Sequence, residues 1–126
     1  MNIENDIKVS VCVVTYNQEN YIAECLESLV NQVTNFRYEI IVGEDCSTDT
    51  TRAIVQSYVE KHPNLIVPLF YKENVGAVEN IKQVYKKAKG KYIAHMDGDD
   101  IALPGKLQKQ FDILEKNPDC SICVHN

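Results

Sequence analysis

Short apolar runs alternate along the chain with longer stretches in which apolar residues recur every three or four positions. The runs are rich in β-branched and aromatic residues, predict β-strands, and lie at 9–15, 36–42, 65–71, 92–96 and 121–124. Each stretch between them carries an apolar stripe at helical spacing and predicts one α-helix. Strands and helices that alternate in this way indicate a three-layer α/β domain with a mostly parallel sheet.

Residues at the borders of these elements refine the prediction. Asn17 is a candidate N-cap of the first helix, and Ser47 or Thr48 is a candidate N-cap of the second. Pro68 has no backbone N–H to donate, so the third strand is expected at an edge of the sheet or at a bulge. Gly90 is the expected C-terminal stop of the third helix. The stripe predicted to be buried in that helix consists of Val78, Ile81, Val84, Tyr85 and Ala88.

The composition is that of an ordinary globular protein. The chain has 126 residues, 44% of them hydrophobic and 25% charged, and this length fits one compact domain. Its formal net charge of −5 argues against a nucleic-acid partner. No signal peptide is expected, and no apolar run approaches the ~18 residues of a membrane span. Residues 1–8 are polar and are expected to be disordered.

Five cysteines form an odd set without the spacing of a disulfide scaffold. Cys12 lies in a strand run and Cys25 on a helical stripe, so both are predicted to pack in the core. Cys120 and Cys123 have zinc-like or redox-like spacing, but no second pair of cysteines or histidines accompanies them, and packing is favoured. This cysteine usage indicates a reducing compartment and a cytoplasmic location.

An acidic cluster follows the fourth predicted strand. Asp97, Asp99 and Asp100, with Gly98 between them, place three carboxylates within four residues, and like charges this close repel one another. A hard divalent cation would relieve that repulsion and leave open positions for substrate phosphates. The alternative is a polar turn whose acids cap the next helix. His95 is interpreted as a structural strand residue and is left out of the metal set.

The position of this cluster along the predicted sheet favours the functional interpretation. Parallel α/β sheets bind ligands beyond the carboxyl ends of their strands. Three polar segments are expected at that edge, namely 15–17, 44–49 and 97–100. Their convergence predicts a ligand site.

Four segments, in this order, resemble the nucleotide-sugar-binding N-terminal portion of a family 2 glycosyltransferase with the Rossmann-like GT-A fold. The resemblance covers residues 9 to about 118, most of the chain. The segments are VSVCVVTYN at 9–17, EIIVGEDCSTDTT at 39–51, ENVG at 73–76 and AKGKYIAHMDGDD at 88–100, followed by Pro104.

The resemblance implies an enzyme that transfers a sugar from a nucleoside diphosphate sugar, by default a UDP-sugar, to an acceptor hydroxyl. It implies inversion at the anomeric carbon and a role in cell-envelope or capsular polysaccharide synthesis. Tyr16 would pack on the base, and Asp45 would accept a hydrogen bond from the base's N–H edge. The donor-binding residues carried over from the family are Thr15, Tyr16, Asn17, Glu44, Asp45, Asp97, Gly98 and Asp99.

The same resemblance implies a metal ion, Mn²⁺ or Mg²⁺, that neutralises the departing diphosphate. Asp97 and Asp99 match the family's DxD motif. Asp99 is the expected direct ligand, Asp97 is expected near the ribose or the metal, and Asp100 is expected behind them.

Two departures from the family pattern limit what carries over. Glu44 and Cys46 stand where many members have Asp and Gly. Where the family's Asn-x-Gly segment continues to an Arg-Asn pair, this sequence has Val78-Glu79-Asn80, with shorter spacing and no arginine, so no arginine contact is carried over. The family's catalytic base lies beyond the fifth strand, where this sequence ends. We therefore expect the sheet to be truncated after that strand and residues 1–126 to bind donor without transferring sugar. A saccharide or lipid-linked acceptor would bind through the missing C-terminal part, and exposed surface could allow self-association.

Two other functions fit an α/β sheet with acids at its strand ends. A receiver-like signalling module would gather acids and a metal, but it would carry two acids after the first strand, and here the acids follow the second and fourth. A nucleotidyltransferase would need a glycine-rich, basic phosphate loop after the first strand, which this sequence lacks.

Overall fold

The computed structural model describes residues 6–117 and 122–124, the latter by their backbone alone. Strands and helices alternate along the whole of this part, as the hydrophobic pattern predicts. In chain order they are β1 (Ile7–Thr15), α1 (Ile22–Val30), β2 (Arg37–Glu44), α2 (Thr51–Lys61), β3 (Ile66–Phe70), α3 (Ala77–Lys87), β4 (Tyr92–Asp97), α4 (Lys106–Lys116) and β5 (Ile122–Val124).

The strands form one parallel sheet in the order β3-β2-β1-β4-β5. The first strand, β1, lies at the centre, and its alternate residues face opposite layers. Val11 and Val13 join a core that includes residues of α1, α2 and α4, whereas Cys12 packs with Val84 of α3 on the other face. The predicted three-layer α/β/α architecture is therefore confirmed. Pro68 lies in the edge strand β3, also as predicted.

Several predicted borders are wrong, each because a tertiary contact overrides the local signal. The predicted disorder of residues 1–8 fails at Ile7 and Lys8, which belong to β1; residues 1–5 lie outside the described part. Asn17 does not cap α1, which begins five residues later, and neither Ser47 nor Thr48 caps α2, which begins at Thr51. Gly90 ends no helix, because α3 stops at Lys87.

The buried face of α3 differs from the predicted apolar stripe. Val84 is buried as predicted, but Val78 is 70% exposed, and Asn80 takes an inward position at 2% exposure. Asn80 donates its amide N–H to the Gly43 carbonyl of β2 over 2.9 Å. Its Oδ1 would lie 1.9 Å from a Cβ at position 43, so α3 packs this closely on β2 only because residue 43 is glycine.

The core cysteines are unreactive packing residues, as predicted. Cys12 and Cys25 are free and fully buried. Burial raises the pKa of each thiol to about 12, so both stay protonated near neutral pH. The side chains of Cys120 and Cys123 lie outside the described residues. Among the helices of the described ranges, none has the length and apolar character needed to cross a bilayer.

Candidate functional site

A cleft of about 420 Å³ opens at the carboxyl ends of β1, β2 and β4. Parallel strands direct their ends to one edge of the sheet, so the loops that follow them meet there. The cleft is therefore built from segments distant in sequence. Its lining consists of Val14, Thr15, Tyr16, Gln18, Asp45, Asn74, Gly76, Ala77, Asn80, Asp97 and Asp99.

Two consecutive residues at the end of β1 differ in exposure and in what they can contact. Thr15 is 3% exposed, and its hydroxyl donates to Gln18 Oε1 over 2.7 Å. The Thr15 carbonyl accepts the backbone N–H of Asp45 over 3.1 Å, which joins the β1 and β2 ends. Tyr16 is 45% exposed and lies at the cleft's surface. Thr15 therefore forms part of the wall, and Tyr16 offers an aromatic face to a ligand.

Asn17 joins the loops after β1 and β2. Its backbone has a left-handed φ of 49°, which asparagine tolerates better than most residues. Its N–H donates to Ser47 Oγ over 2.9 Å, and its Oδ1 accepts the backbone N–H of Thr48 over 2.8 Å. Asn17 is absent from the cleft lining. Its side chain holds two loops together, and this contact explains why it caps no helix.

Glu44 also lies outside the cleft lining. Its side chain is fully buried, and Oε2 pairs with Arg52 Nε at 2.5 Å while Oε1 accepts the Ser47 N–H at 2.8 Å. Arg52 also donates through Nη2 to the Tyr71 carbonyl over 2.6 Å. Both oxygens of Glu44 are engaged by the protein, and through Ser47 and Arg52 this side chain holds the loop after β2.

Asp45 faces the cleft and organises the loop after β3. Its two carboxylate oxygens accept the backbone N–H groups of Val75 at 2.7 Å and Gly76 at 3.0 Å. Its carbonyl accepts from the side chain of Asn74 over 3.1 Å. Each carboxylate oxygen has more than one lone pair, so this side chain can still accept an N–H from a ligand.

The acidic cluster converges at the β4 end, as predicted. Carboxylate oxygens of Asp97, Asp99 and Asp100 lie within 4.8 Å of one another. Asp97 and Asp99 line the cleft and are exposed, whereas Asp100 is half-buried and accepts the Asp97 N–H over 3.0 Å. Three hard oxygen donors at this separation suit Mg²⁺ or Mn²⁺ better than a softer metal. The donor set therefore fits a divalent cation.

Cys25 lies beneath this cluster and does not join the donor set. Its thiol donates to the Asp97 carbonyl at 3.7 Å. Burial, followed by the negative charges of Asp100 and Asp99, raises the pKa of the thiol to about 12. A protonated thiol is a poor metal ligand, so the carboxylates remain the candidate ligands.

Gly98 leaves room for the packing between the cluster and β1. Its N–H donates to the Val14 carbonyl over 3.0 Å, and an added Cβ would lie 2.6 Å from Thr15 Oγ1 and 2.4 Å from Gln18 Oε1. We expect Gly98→Ala to lower the free energy of unfolding by about 1–2 kcal/mol and to displace the neighbouring acids. Urea denaturation and titration with UDP and Mn²⁺ would measure the two effects. A variant with unchanged stability and ligand affinity would contradict this prediction.

Sequence reasoning missed several lining residues on α3 and the loop before it. Asn74 and Gly76 belong to the ENVG segment that carried part of the resemblance, but they were given no role of their own. Ala77 and Asn80 lie in the first turns of α3. No pattern in the sequence marks Asn80, because its burial depends on its contact with Gly43, a residue distant in sequence.

The sequence of this chain is similar to those of known glycosyltransferases. A profile described as Glycosyl transferase family 2 matches residues 10–126. The Bacillus subtilis glycosyltransferase TuaG, provisionally assigned to teichuronic acid biosynthesis, is 37% identical over 106 residues, covering 84% of this chain and 41% of TuaG. An uncharacterized glycosyltransferase of Haemophilus influenzae is 40% identical over 115 residues, covering 91% and 35% of the two chains. The chain thus spans about two fifths, or less, of the length of these relatives.

Solved structures share the fold. The S. aureus TarS 1-349 structure in complex with UDP-GlcNAc superposes with a TM-score of 0.73 at 33% identity, covering 87% of this chain and 32% of TarS. The mannosyltransferase PcManGT of Pyrobaculum calidifontis, in complex with GDP-Man and Mn²⁺, gives a TM-score of 0.71 at 24% identity over 86% of this chain and 32% of the enzyme. At that identity the second likeness supports the fold alone.

Proposed function

The chain belongs to glycosyl transferase family 2, with the GT-A fold predicted for it, and on this premise we propose that its cleft binds a nucleoside diphosphate sugar. The sugar would be transferred from this donor to an acceptor hydroxyl. The observation that carries the proposal is the convergence in one cleft of an exposed tyrosine, a buried carboxylate and an acidic cluster. These are Tyr16, Asp45 and the pair Asp97 and Asp99.

The base of the nucleotide is proposed to bind between Tyr16 and Asp45. An exposed aromatic ring can stack on a base, and a carboxylate accepts the N–H that uracil offers between its two carbonyls. The TarS structure that contains UDP-GlcNAc supports UDP as the first nucleotide to test. Thr15 would pack beneath the nucleotide, and Asn17 and Glu44 would act through the loops that they hold.

The diphosphate is proposed to lie over the acidic cluster. Asp99, assisted by Asp97, would hold Mn²⁺ or Mg²⁺ there, with Asp100 fixing the turn behind them through its bond to the Asp97 N–H. The bound ion would act as a Lewis acid that neutralises the diphosphate leaving group. Without it, the three carboxylates and the diphosphate would repel each other.

Two further proposals concern where the acceptor binds and which biosynthetic process the enzyme serves. Direct displacement with inversion needs a general base that takes the proton of the attacking hydroxyl. The match covers only 41% of TuaG, and we propose that the acceptor site and this base belong to the part of such relatives outside the match. Residues 1–126 would then bind donor without completing transfer to a saccharide or lipid-linked acceptor. Cell-envelope polysaccharide synthesis at the cytoplasmic side is the proposed setting.

Calorimetric titration with UDP, with and without Mn²⁺, tests donor binding. Asp99→Asn removes one charged metal ligand, so it should weaken binding in the presence of Mn²⁺ by no less than the roughly 10- to 100-fold that is typical when a hydrogen-bond partner of a metal ligand is lost. Glu60→Gln is the matched control: Glu60 lies in the last turn of α2, at the opposite edge of the sheet, and accepts from Gln56 over 3.3 Å.

The control should bind like the unsubstituted chain. Binding that is indifferent to Mn²⁺ and to Asp99→Asn would overturn the metal proposal and leave the acids as a polar turn. A receiver-like module is disfavoured by the family membership and by the end of β1, where Thr15, Tyr16 and Asn17 replace the acids that it requires. Phosphorylation of the chain by an acyl phosphate would restore that alternative.

A further inference from the structure

A chain of polar side chains runs from α3 to the acidic cluster. Tyr85 of α3 places its hydroxyl 3.2 Å from Nδ1 of His95, and the two rings meet edge to face at 6.0 Å. The other ring nitrogen of His95, Nε2, lies 3.5 Å from Oδ1 of Asp97. His95 and Asp97 are two residues apart in β4, so their side chains project to the same face of the sheet.

The contacts of His95 with Tyr85 and Asp97 select one tautomer of the His95 ring. If the tyrosine hydroxyl donates to Nδ1, the ring proton lies on Nε2 and faces the carboxylate of Asp97. The opposite tautomer would place the lone pair of Nε2 against a negatively charged oxygen, which is repulsive. The tautomer protonated on Nε2 therefore satisfies all three groups.

We propose that His95 is a positioning residue for Asp97. Its Nε2–H, 3.5 Å from Oδ1 of Asp97, attracts that carboxylate and restrains its rotation, and Tyr85 holds the imidazole ring in that orientation. The role in metal and donor binding rests on the function proposed above. The contact itself rests on the distances between the three side chains.

The surroundings of His95 and Asp97 explain why a contact between them would help to position the Asp97 carboxylate. The side chain of Asp97 is 59% exposed and can rotate, and it is repelled by the carboxylates of Asp99 and Asp100. His95 is 16% exposed, and its backbone is paired with Cys12 of β1 on one side and with β5 on the other. A rigid N–H donor thus opposes the outward rotation of a mobile ligand. Hydrogen-bond partners of metal ligands typically change metal affinity by about 10- to 100-fold when they are removed.

Nitrogen NMR of the metal-free chain tests the contact without any ligand. In spectra recorded at a pH high enough to observe the neutral ring, the proton of His95 should lie on Nε2. Asp97→Asn should shift the Nε2–H resonance, and Tyr85→Phe should increase the share of the Nδ1–H tautomer. Tyr38→Phe is the control, because it removes a hydroxyl that donates to the Leu29 carbonyl over 2.7 Å, and it should leave the His95 spectrum unchanged. A ring protonated on Nδ1, or a spectrum indifferent to Asp97→Asn, would overturn the proposal.

Titration with Mn²⁺ alone, followed by UDP in the presence of Mn²⁺, tests the positioning role. His95→Phe should weaken Mn²⁺ binding by about tenfold, whereas His95→Gln, whose amide can donate in place of Nε2–H, should recover part of the loss. Thermal unfolding of both variants separates this effect from a loss of packing. Equal Mn²⁺ affinity in His95→Phe and the unsubstituted chain would refute the role.

The two tests distinguish failure of this inference from failure of the proposed function. If the unsubstituted chain binds neither Mn²⁺ nor UDP, the proposed function is wrong, and the NMR experiment still decides whether His95 holds Asp97. If the unsubstituted chain binds both and the His95 tautomer is the opposite one, the function stands and the positioning role is wrong.

Discussion

Replacing Arg52 with methionine should lower the free energy of unfolding by about 3 kcal/mol, the lower end of the range for breaking a buried ion pair. Glu44 is fully buried, and the substitution would leave its carboxylate without its cation. The Tyr71 carbonyl would also lose the donor that Arg52 Nη2 supplies. We expect a loss at the lower end of that range because the Arg52 side chain is 38% exposed, so water can partly solvate the Glu44 carboxylate after the guanidinium is removed.

Urea denaturation of the variant and of Lys91→Met would check this prediction. Lys91 pairs with Glu115 at 2.8 Å, but both side chains are exposed, at 57% and 42%, so breaking that pair should cost far less than breaking the Arg52–Glu44 pair. Combining Arg52→Met with Glu44→Gln should recover part of the loss, because a neutral amide is less costly to bury unpaired. Equal losses for Arg52→Met and Lys91→Met would contradict the argument.

Gly90→Ala should also be strongly destabilising, by about 3 kcal/mol. A Cβ at this position would lie 2.6 Å from the backbone nitrogen of Ser10 and 2.8 Å from the carbonyl carbon of Val9. These atoms belong to the central strand β1, which is paired on both sides and has no free direction in which to move. The clash would also disturb the Gly90 N–H bond to Ser10 Oγ, whose hydroxyl in turn donates to the buried carboxylate of Glu39 over 2.6 Å.

Gly105→Ala provides the comparison for this second prediction. Gly105 has a left-handed φ of 82° and no atom within 4 Å of a built Cβ, so its substitution isolates backbone strain, at about 1–2 kcal/mol. Thermal and urea unfolding of the two variants should show the larger loss for Gly90→Ala. The steric argument fails if the two losses are equal or if Gly90→Ala is near neutral.

The sequence was sufficient to predict the elements, their order and the edge at which the site forms. Buried strands and amphipathic helices have different hydrophobic periods, and a parallel α/β sheet brings its strand ends together whatever the side chains are. Pro68 specified an edge strand because it cannot donate to a neighbour. The acids at 97, 99 and 100 were identifiable because they directly follow a buried strand.

The roles of individual polar residues could not be predicted, because they depend on partners distant in sequence. Glu44 and Asp45 are adjacent and both acidic, but Arg52 takes the first into the interior while the second faces the cleft. Asn17 looked like a helix cap because its partners, Ser47 and Thr48, are about thirty residues away. Val78 was expected to be buried but is exposed, and Asn80 is buried instead. The close packing of α3 on Gly43 favours a polar residue at position 80, because its amide can donate to the Gly43 carbonyl.

The central position of β1 has a consequence for synthesis on the ribosome. Its register with β4 is completed only when Asp97, about eighty residues after Val14, is available to pair. At typical translation rates this interval is roughly 4 to 16 s, during which the edge of β1 that pairs with β4 is uncovered. We expect β1 to be the segment that chaperones engage during translation and the region from which aggregation of incomplete chains begins.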